Sequence, residues 1–183
     1  MKKVLALFLI PLSFAACTSS TPADTTAAAP AKDSVAAEPA VTLPYKADYS
    51  SNFVPGKQAD VLTVLNNYKA WEINDMKMFR ETFADSITIN FPNGYIMTGK
   101  ADSLMKGATK FRDSLSKVAI TMYAWTSNHS VDKNEDWVNI WYKEVDTYKT
   151  GKIDSVDYED DNLLKGGKIA WVSSHEQKYK KKK

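Results

Sequence analysis

The chain has 183 residues, of which 44% are hydrophobic and 25% are charged, a composition typical of a globular domain rather than a disordered or fibrous protein. Its 24 basic and 22 acidic residues nearly cancel, which argues against a nucleic-acid partner. One cysteine cannot form an intramolecular disulfide or a cysteine zinc site, and two histidines argue against a histidine-rich metal site. We therefore expect no metal and no cofactor.

Residues 1–16 have the features of a secretory signal peptide. Lys2 and Lys3 form a basic start, an apolar stretch too short to cross a bilayer follows, and two alanines precede position 17. Cys17, directly after these small residues, resembles the lipobox cysteine of bacterial lipoproteins. The resemblance implies that Cys17 becomes the first mature residue and carries the lipid that anchors the protein to a membrane. The alternative is a plain signal peptide whose removal leaves a free thiol.

Residues 17–44 combine the predicted lipidated cysteine with a disordered tether. The segment contains four of the seven prolines and no aromatic residue, so it cannot bury enough apolar area to offset the entropy of ordering. We expect the tether to hold a domain away from the membrane. By resemblance to bacterial sorting rules, the lack of an acidic run after Cys17 favours the cell envelope, at the periplasmic face of the outer membrane.

Three helices are predicted in the first half of a domain that we expect to span residues 45–177. The first helical pattern starts at Gln58, and its apolar face reaches Trp71 at helical spacing. Asp75 or the residue before it can cap a second helix, whose apolar side runs from Met76 to Phe83. The third helix follows Gly99, with apolar positions from Leu104 to Leu115.

Strands dominate the rest of the domain. Alternation predicts a strand over 87–91, a turn at Pro92-Asn93-Gly94 and a partner strand over 95–97. Four long antiparallel strands then cover 118–127, 137–148, 153–164 and 168–175. The second of these places Trp137, Trp141 and Val145 on one face, and Val138, Ile140 and Tyr142 on the other. The order of elements predicts an α+β fold with helices on one face of a curved antiparallel sheet.

Several short sequence segments between Ala59 and Glu176 resemble the SnoaL-like branch of the nuclear transport factor 2-like superfamily. They are NNYKAWEIND, MFRETFADSITINFPNG, MTGKAD, EDWVNIW and GGKIAWV, in an order and spacing that agree throughout. The resemblance implies that three helices and a cone-shaped sheet enclose a pocket. It also implies that the domain forms a homodimer through its open sheet face.

The same resemblance allows the catalytic positions of ketosteroid isomerases to be compared residue by residue. Phe91 occupies the place of the general base, and phenylalanine cannot accept a proton. Asn67 falls at the place of the oxyanion tyrosine, and Asp160 lies near that of the oxyanion aspartic acid. The absence of the base argues against isomerase activity.

Asp160, Asp161 and His129 are the candidate catalytic residues. The two aspartates belong to an acidic cluster that is typical of a solvated strand edge, although alternation would turn one of them toward a pocket, where burial would raise its pKa. His129 lies near a strand end with no carboxylate at a matched position, so an exposed histidine is the simpler interpretation.

Six aromatic residues are the candidates for a pocket lining that suits an apolar or flat ligand. They are Tyr68, Trp71, Phe91, Tyr123, Trp125 and Trp141. Most of the domain's aromatics must simply be core, and tryptophans on the open sheet face would mark a dimer contact. The basic tail at 178–183 is either a solvated terminus or a contact with anionic lipid.

The sequence therefore leads to three hypotheses. The first is a lipid-anchored domain that binds a small apolar or amphipathic ligand, or a partner protein, without catalysis. The second is an enzyme of unknown substrate that uses a pocket aspartate with His129. The third is a structural envelope protein whose pocket is filled by its own side chains.

Overall fold

The computed structural model describes residues 41–177, so the predictions for 1–16, Cys17, most of the tether and the tail at 178–183 lie outside the described residues. The helices are α1 (Gln58–Ile73), α2 (Met76–Glu81) and α3 (Ala101–Arg112). The strands are β1 (Phe53–Pro55), β2 (Phe83–Asn90), β3 (Ile96–Lys100), β4 (Leu115–Ser130), β5 (Glu135–Tyr148), β6 (Ile153–Lys165) and β7 (Lys168–Gln177). No helix in this part of the chain has the length and apolar character of a membrane span.

The strands form one curved sheet in the order β1-β4-β5-β6-β7-β2-β3. The predicted α+β class and the antiparallel run from β4 to β7 are confirmed. The sheet is not wholly antiparallel, because β2 pairs with β7 in the parallel direction, with Thr88 opposite Trp171. Alternation within a strand does not encode its partner, so this long-range pairing was not predicted. The short strand β1, which pairs with the end of β4, was also missed.

The helix boundaries follow the predicted caps more closely than the predicted apolar pattern. Asn74 ends α1 in the left-handed conformation (φ 62°), and the Asp75 side chain accepts a hydrogen bond from the Met78 amide at 2.9 Å. The assignment of Phe83 to the second helix and of Leu115 to the third was wrong, since these residues begin β2 and β4. Both side chains are buried, and a buried residue just past a helix end fits either pattern.

The hydrophobic core lies between α1 and the inner face of the sheet. Val61 and Val64 of α1 are buried against Val138 and Ile140 of β5, all four at most 4% exposed. Arg112, at the end of α3, donates to the carbonyls of Trp71 (2.8 Å) and the next residue (3.0 Å). This buried guanidinium therefore satisfies carbonyls at the C-terminal end of α1 and joins it to α3.

Candidate functional site

A cavity of about 370 Å³ lies between the three helices and the inner face of the sheet. Its wall is mainly apolar, with large contributions from Trp71, Phe79, Ile87, Phe91, Leu104 and Phe111. Trp71 stands between two of these rings, 5.4 Å from Phe79 and 6.1 Å from Phe111, centroid to centroid. A ligand that enters this cavity exchanges water for apolar and aromatic contacts, which favours an apolar body.

Four polar side chains also reach the wall: Asn67, Tyr68, Tyr142 and Glu144. The Asn67 amide donates to the Thr82 hydroxyl at 2.7 Å, which in turn donates to the Phe79 carbonyl. Its position therefore serves to connect α1 with the end of α2 as well as to line the cavity.

Asp160 is buried behind the two tyrosines of the wall. Its carboxylate accepts hydrogen bonds from the hydroxyls of Tyr68 (2.5 Å), Tyr142 (3.0 Å) and Ser174 (2.5 Å). Burial raises the pKa of Asp160, and these hydrogen bonds act in the opposite direction. Burial and the neighbouring carboxylate raise the pKa of Tyr68 well above its usual value, so this hydroxyl keeps its proton.

Glu144 is the acidic group of the cavity wall. Burial and the nearby Asp146 carboxyl raise its pKa to about 8, against the weaker opposing effect of a hydrogen bond from Trp71 Nε1 at 3.3 Å. Glu144 is therefore mostly protonated at neutral pH, in a cavity that otherwise offers few hydrogen-bonding groups. A carboxyl with this pKa can donate a hydrogen bond, accept a proton or bind a cation.

Asp146 follows Glu144 on the same face of β5, and the two carboxyls share a hydrogen bond. Burial raises the pKa of Asp146, while the Arg112 guanidinium lowers it. One buried oxygen of Asp146 accepts no hydrogen bond from any amide, hydroxyl or cationic group of the described residues. The Glu144–Asp146 pair therefore holds a proton, because the Arg112 guanidinium alone does not neutralise both carboxylates.

Solved structures with the same architecture identify the fold. A nuclear transport factor 2-like protein of unknown function from Exiguobacterium superimposes with a TM-score of 0.53, at 16% identity over 64% of this chain and 99% of its own. The domain has the nuclear transport factor 2-like fold. An epoxide hydrolase from M. tuberculosis (TM-score 0.56, 6% identity, 66% and 84% covered) and a putative polyketide cyclase from Xanthomonas campestris (0.51, 14%, 64% and 90%) are also similar. No family model and no curated protein matches the sequence.

Within this nuclear transport factor 2-like fold, three of the six predicted lining residues reach the cavity: Tyr68, Trp71 and Phe91. Tyr123 and Trp125 lie outside it and are 57% and 47% exposed. The Tyr123 hydroxyl instead donates to Asp157 at 2.8 Å. A register shift between Met122 and Ala124 interrupts the alternation of β4 at this point. Most of the cavity wall comes from the helices, β2 and β3, and none of the residues that line it belongs to β4.

Trp141 lies outside the cavity because of strand alternation. Its neighbours Ile140 and Tyr142 are buried on the inner face, so the Trp141 side chain projects from the opposite face. The predicted division of β5 into two faces was therefore correct. The prediction that Trp141 lines the pocket was not consistent with that division. The same alternation carries Glu144, two residues after Tyr142, to the inner face, although the sequence did not identify it as a site residue.

The structure does not bring the three predicted catalytic residues together. Asp160 faces inward, and Asp161 faces the other side of the sheet, where Asn139 Nδ2 donates to it at 2.5 Å. His129 Nδ1 lies 2.8 Å from Asp136 Oδ1. Asp136 is on the facing strand β5 and is the carboxylate partner of His129 that was not predicted. Strand β6 is an interior strand rather than an edge. Within residues 41–177, no three acidic, histidine or cysteine side chains are grouped to hold a metal ion.

Proposed function

We propose that residues 45–177 form a binding domain that holds a small, mainly apolar ligand without converting it. The observation that supports this best is the 370 Å³ cavity, whose wall is apolar apart from four side chains. Its volume lies near the lower end of the roughly 300–1,000 Å³ found for small-molecule sites, which favours a compact ligand.

The distribution of acid–base groups supports binding over catalysis. Phe91 lines the cavity at the position where the isomerase resemblance requires a base. Asp160 already accepts three hydroxyl hydrogen bonds behind the wall, and His129 pairs with Asp136 away from the cavity. A combined action of these two residues on one ligand would need a rearrangement of the sheet.

A second candidate function is an enzyme in which Glu144 acts as the acid or base. A pKa of about 8 is close to what general acid–base catalysis at neutral pH requires. The similar structures that bear the names epoxide hydrolase and polyketide cyclase are consistent with this candidate, but a shared fold does not imply a shared reaction.

We further propose that Cys17 carries a lipid that holds the domain at the outer membrane, facing the periplasm, and that the domain forms a homodimer. The outer sheet face supports a dimer because Trp137 and Trp171 pack edge to face there, 5.6 Å between centroids. Mass spectrometry of membrane-fraction protein tests lipidation of Cys17. Sedimentation of wild type and Trp171→Lys tests the dimer, which we expect the lysine to dissociate.

Native mass spectrometry tests ligand binding. The chain from residue 18 to 183 keeps every described helix and strand and is purified from its own host. We expect one small molecule per chain in the wild type and in Ser103→Phe, which adds a ring to the exposed side of α3. We expect none in Ala108→Phe, which places the same ring in the cavity wall. Equal ligand content in all three proteins would contradict the proposal, and conversion of the recovered molecule by fresh protein would favour the enzyme.

A further inference from the structure

Glu144 stands in the cavity wall without a positively charged partner. Within residues 41–177, no lysine, arginine or histidine forms an ion pair with it. Its neutral donor is Trp71 Nε1, at a long 3.3 Å. A buried carboxyl is normally neutralised by a partner or by a proton, so a cationic ligand would supply what the protein does not.

The groups that face Glu144 are two carboxyls and three tyrosine hydroxyls that keep their protons, so none of them carries a positive charge. Asp146 lies on the same strand, Asp160 on β6, and the tyrosine hydroxyls come from α1, β5 and β6; these groups are Asp146, Asp160, Tyr68, Tyr142 and Tyr158. Asp154 of β6 and Arg112 of α3 act on Asp146 in opposite senses. The Arg112 guanidinium is already bound to two carbonyls of α1. The carboxyls at this end of the cavity therefore favour a cationic ligand group over a neutral one.

The rings beside Glu144 are suited to a cation as well. Trp71 packs against Phe79 and Phe111 and already has the Arg112 guanidinium 6.0 Å from its centroid, so Tyr142, in the same wall, is the ring that remains for a ligand. The faces of aromatic rings attract ammonium groups, most strongly where water is excluded. Farther along the wall, side chains such as Ile87 and Leu104 offer purely apolar contacts. Charge complementarity and apolar contacts are thus both available within one cavity.

We propose that the cavity binds a compact organic amine, with its ammonium group on the Glu144 carboxylate and its apolar body against the aromatic and aliphatic wall. This inference rests on the proposed binding function and names the chemical class of its ligand. A neutral ligand of the same shape would leave the Glu144–Asp146 pair holding its proton and would gain no charge complementarity.

Proton release follows from this mode of binding. The ammonium group binds ionised Glu144, so the proton on the Glu144 carboxyl must leave for solvent when binding occurs below about pH 8. The apparent affinity for an amine therefore rises about tenfold per pH unit below that value and then levels off. A neutral alcohol should show no such rise.

Calorimetry with two isosteric probes tests the inference. 2-Phenylethylamine and 2-phenylethanol differ only in the head group, and each is titrated into residues 18–183 at about pH 6, 7 and 8, in two buffers of different ionisation enthalpy. Glu144→Gln removes the charge with little change in shape, and Glu159→Gln is a matched control on the exposed side of β6. Ala108→Phe serves as the blocked cavity.

We expect the amine to bind more tightly than the alcohol, to release up to one proton, and to lose at least about tenfold in affinity in Glu144→Gln alone. Equal affinity for both probes, unaffected by Glu144→Gln but abolished by Ala108→Phe, would overturn the amine assignment and leave the binding function standing. Binding of neither probe, or binding that Ala108→Phe does not alter, would overturn both. Proton release is measured on the wild type, so it remains decisive if a variant does not fold.

Discussion

Asp160 and Asp161 are adjacent in β6, yet their surroundings differ in almost every respect. Asp160 is 4% exposed and accepts three hydroxyl hydrogen bonds on the inner face of the sheet. Asp161 lies on the outer face, bound to Asn139 and 3.9 Å from the ring of His175. The alternation of a strand is sufficient to place one carboxyl in the core and the next beside solvent. The inner face of β6 thus presents a buried carboxyl with a raised pKa. The outer face presents a carboxyl whose hydrogen bonds water can replace.

The largest expected difference between the faces is in the stability cost of removing these carboxyls. Asp160→Ala leaves three hydroxyls without their acceptor, so we expect a loss of about 4 kcal/mol in unfolding free energy. Asp161→Ala should cost about 0.5 kcal/mol or less. Urea unfolding at neutral pH measures both. Equal costs would show that burial on the inner face does not distinguish the two residues.

Asp160→Asn and Asp161→Asn keep side-chain size and serve as the corresponding ligand test. Because Asp160 lies behind the tyrosines rather than in the wall, we expect the affinity for the neutral probe 2-phenylethanol to change little in either variant. A large loss of affinity in Asp160→Asn would instead favour the hypothesis of an enzyme that uses this carboxyl.

A pH titration should separate the two faces next. Glu144 binds its proton more tightly in the folded chain, with a pKa near 8 against an unperturbed 4.5. Its favourable contribution to the unfolding free energy is therefore complete below about pH 4.5, falls as the pH rises, and is lost once the pH has passed about 8. The difference in unfolding free energy between wild type and Glu144→Gln, measured across this range, should fall with pH. A difference that does not change with pH would contradict the raised pKa of Glu144.

The comparison of buried and exposed groups extends to α3. Arg112→Met keeps the aliphatic stem but leaves the Trp71 and Glu72 carbonyls without their donor, so we expect a loss of about 2 kcal/mol. Lys110→Met, on the exposed side of the same helix, should be nearly neutral. Thermal unfolding of both variants measures the difference. A neutral Arg112→Met would mean that water replaces the guanidinium at the end of α1.

The smallest expected contrast involves two tyrosines that donate to aspartates. Tyr68 reaches Asp160 at 2.5 Å in the core, and Tyr123 reaches Asp157 at 2.8 Å on the outer face. Tyr68→Phe should cost about 1.5 kcal/mol because a buried carboxylate loses one donor, whereas Tyr123→Phe should cost less than about 0.5 kcal/mol. Urea unfolding again gives both values, and a reversed order would contradict the assignment of inner and outer faces.

Local patterns determined much of this fold. The helical spacing after Gln58, the cap at Asp75 and the alternation of β5 follow from backbone geometry acting over a few residues, and each was predicted from the sequence. The resemblance of short segments to SnoaL-like sequences then predicted the arrangement of helices on a curved sheet. Local geometry also placed Trp141 and Tyr142 on opposite faces, which was enough to exclude Trp141 from the pocket.

The tertiary structure alone decided which part of the inner face became a cavity. Strand alternation assigns Glu144 to the inner face but does not reveal which helices cover it, and burial beside Asp146 is what raises its pKa. The pairing of β2 with β7 and the interior position of β6 likewise depend on contacts between segments far apart in the chain. Local residue patterns are enough to assign side chains to one face of a strand or helix. Long-range packing determined which of them lose water, and hence where the chemistry of the site lies.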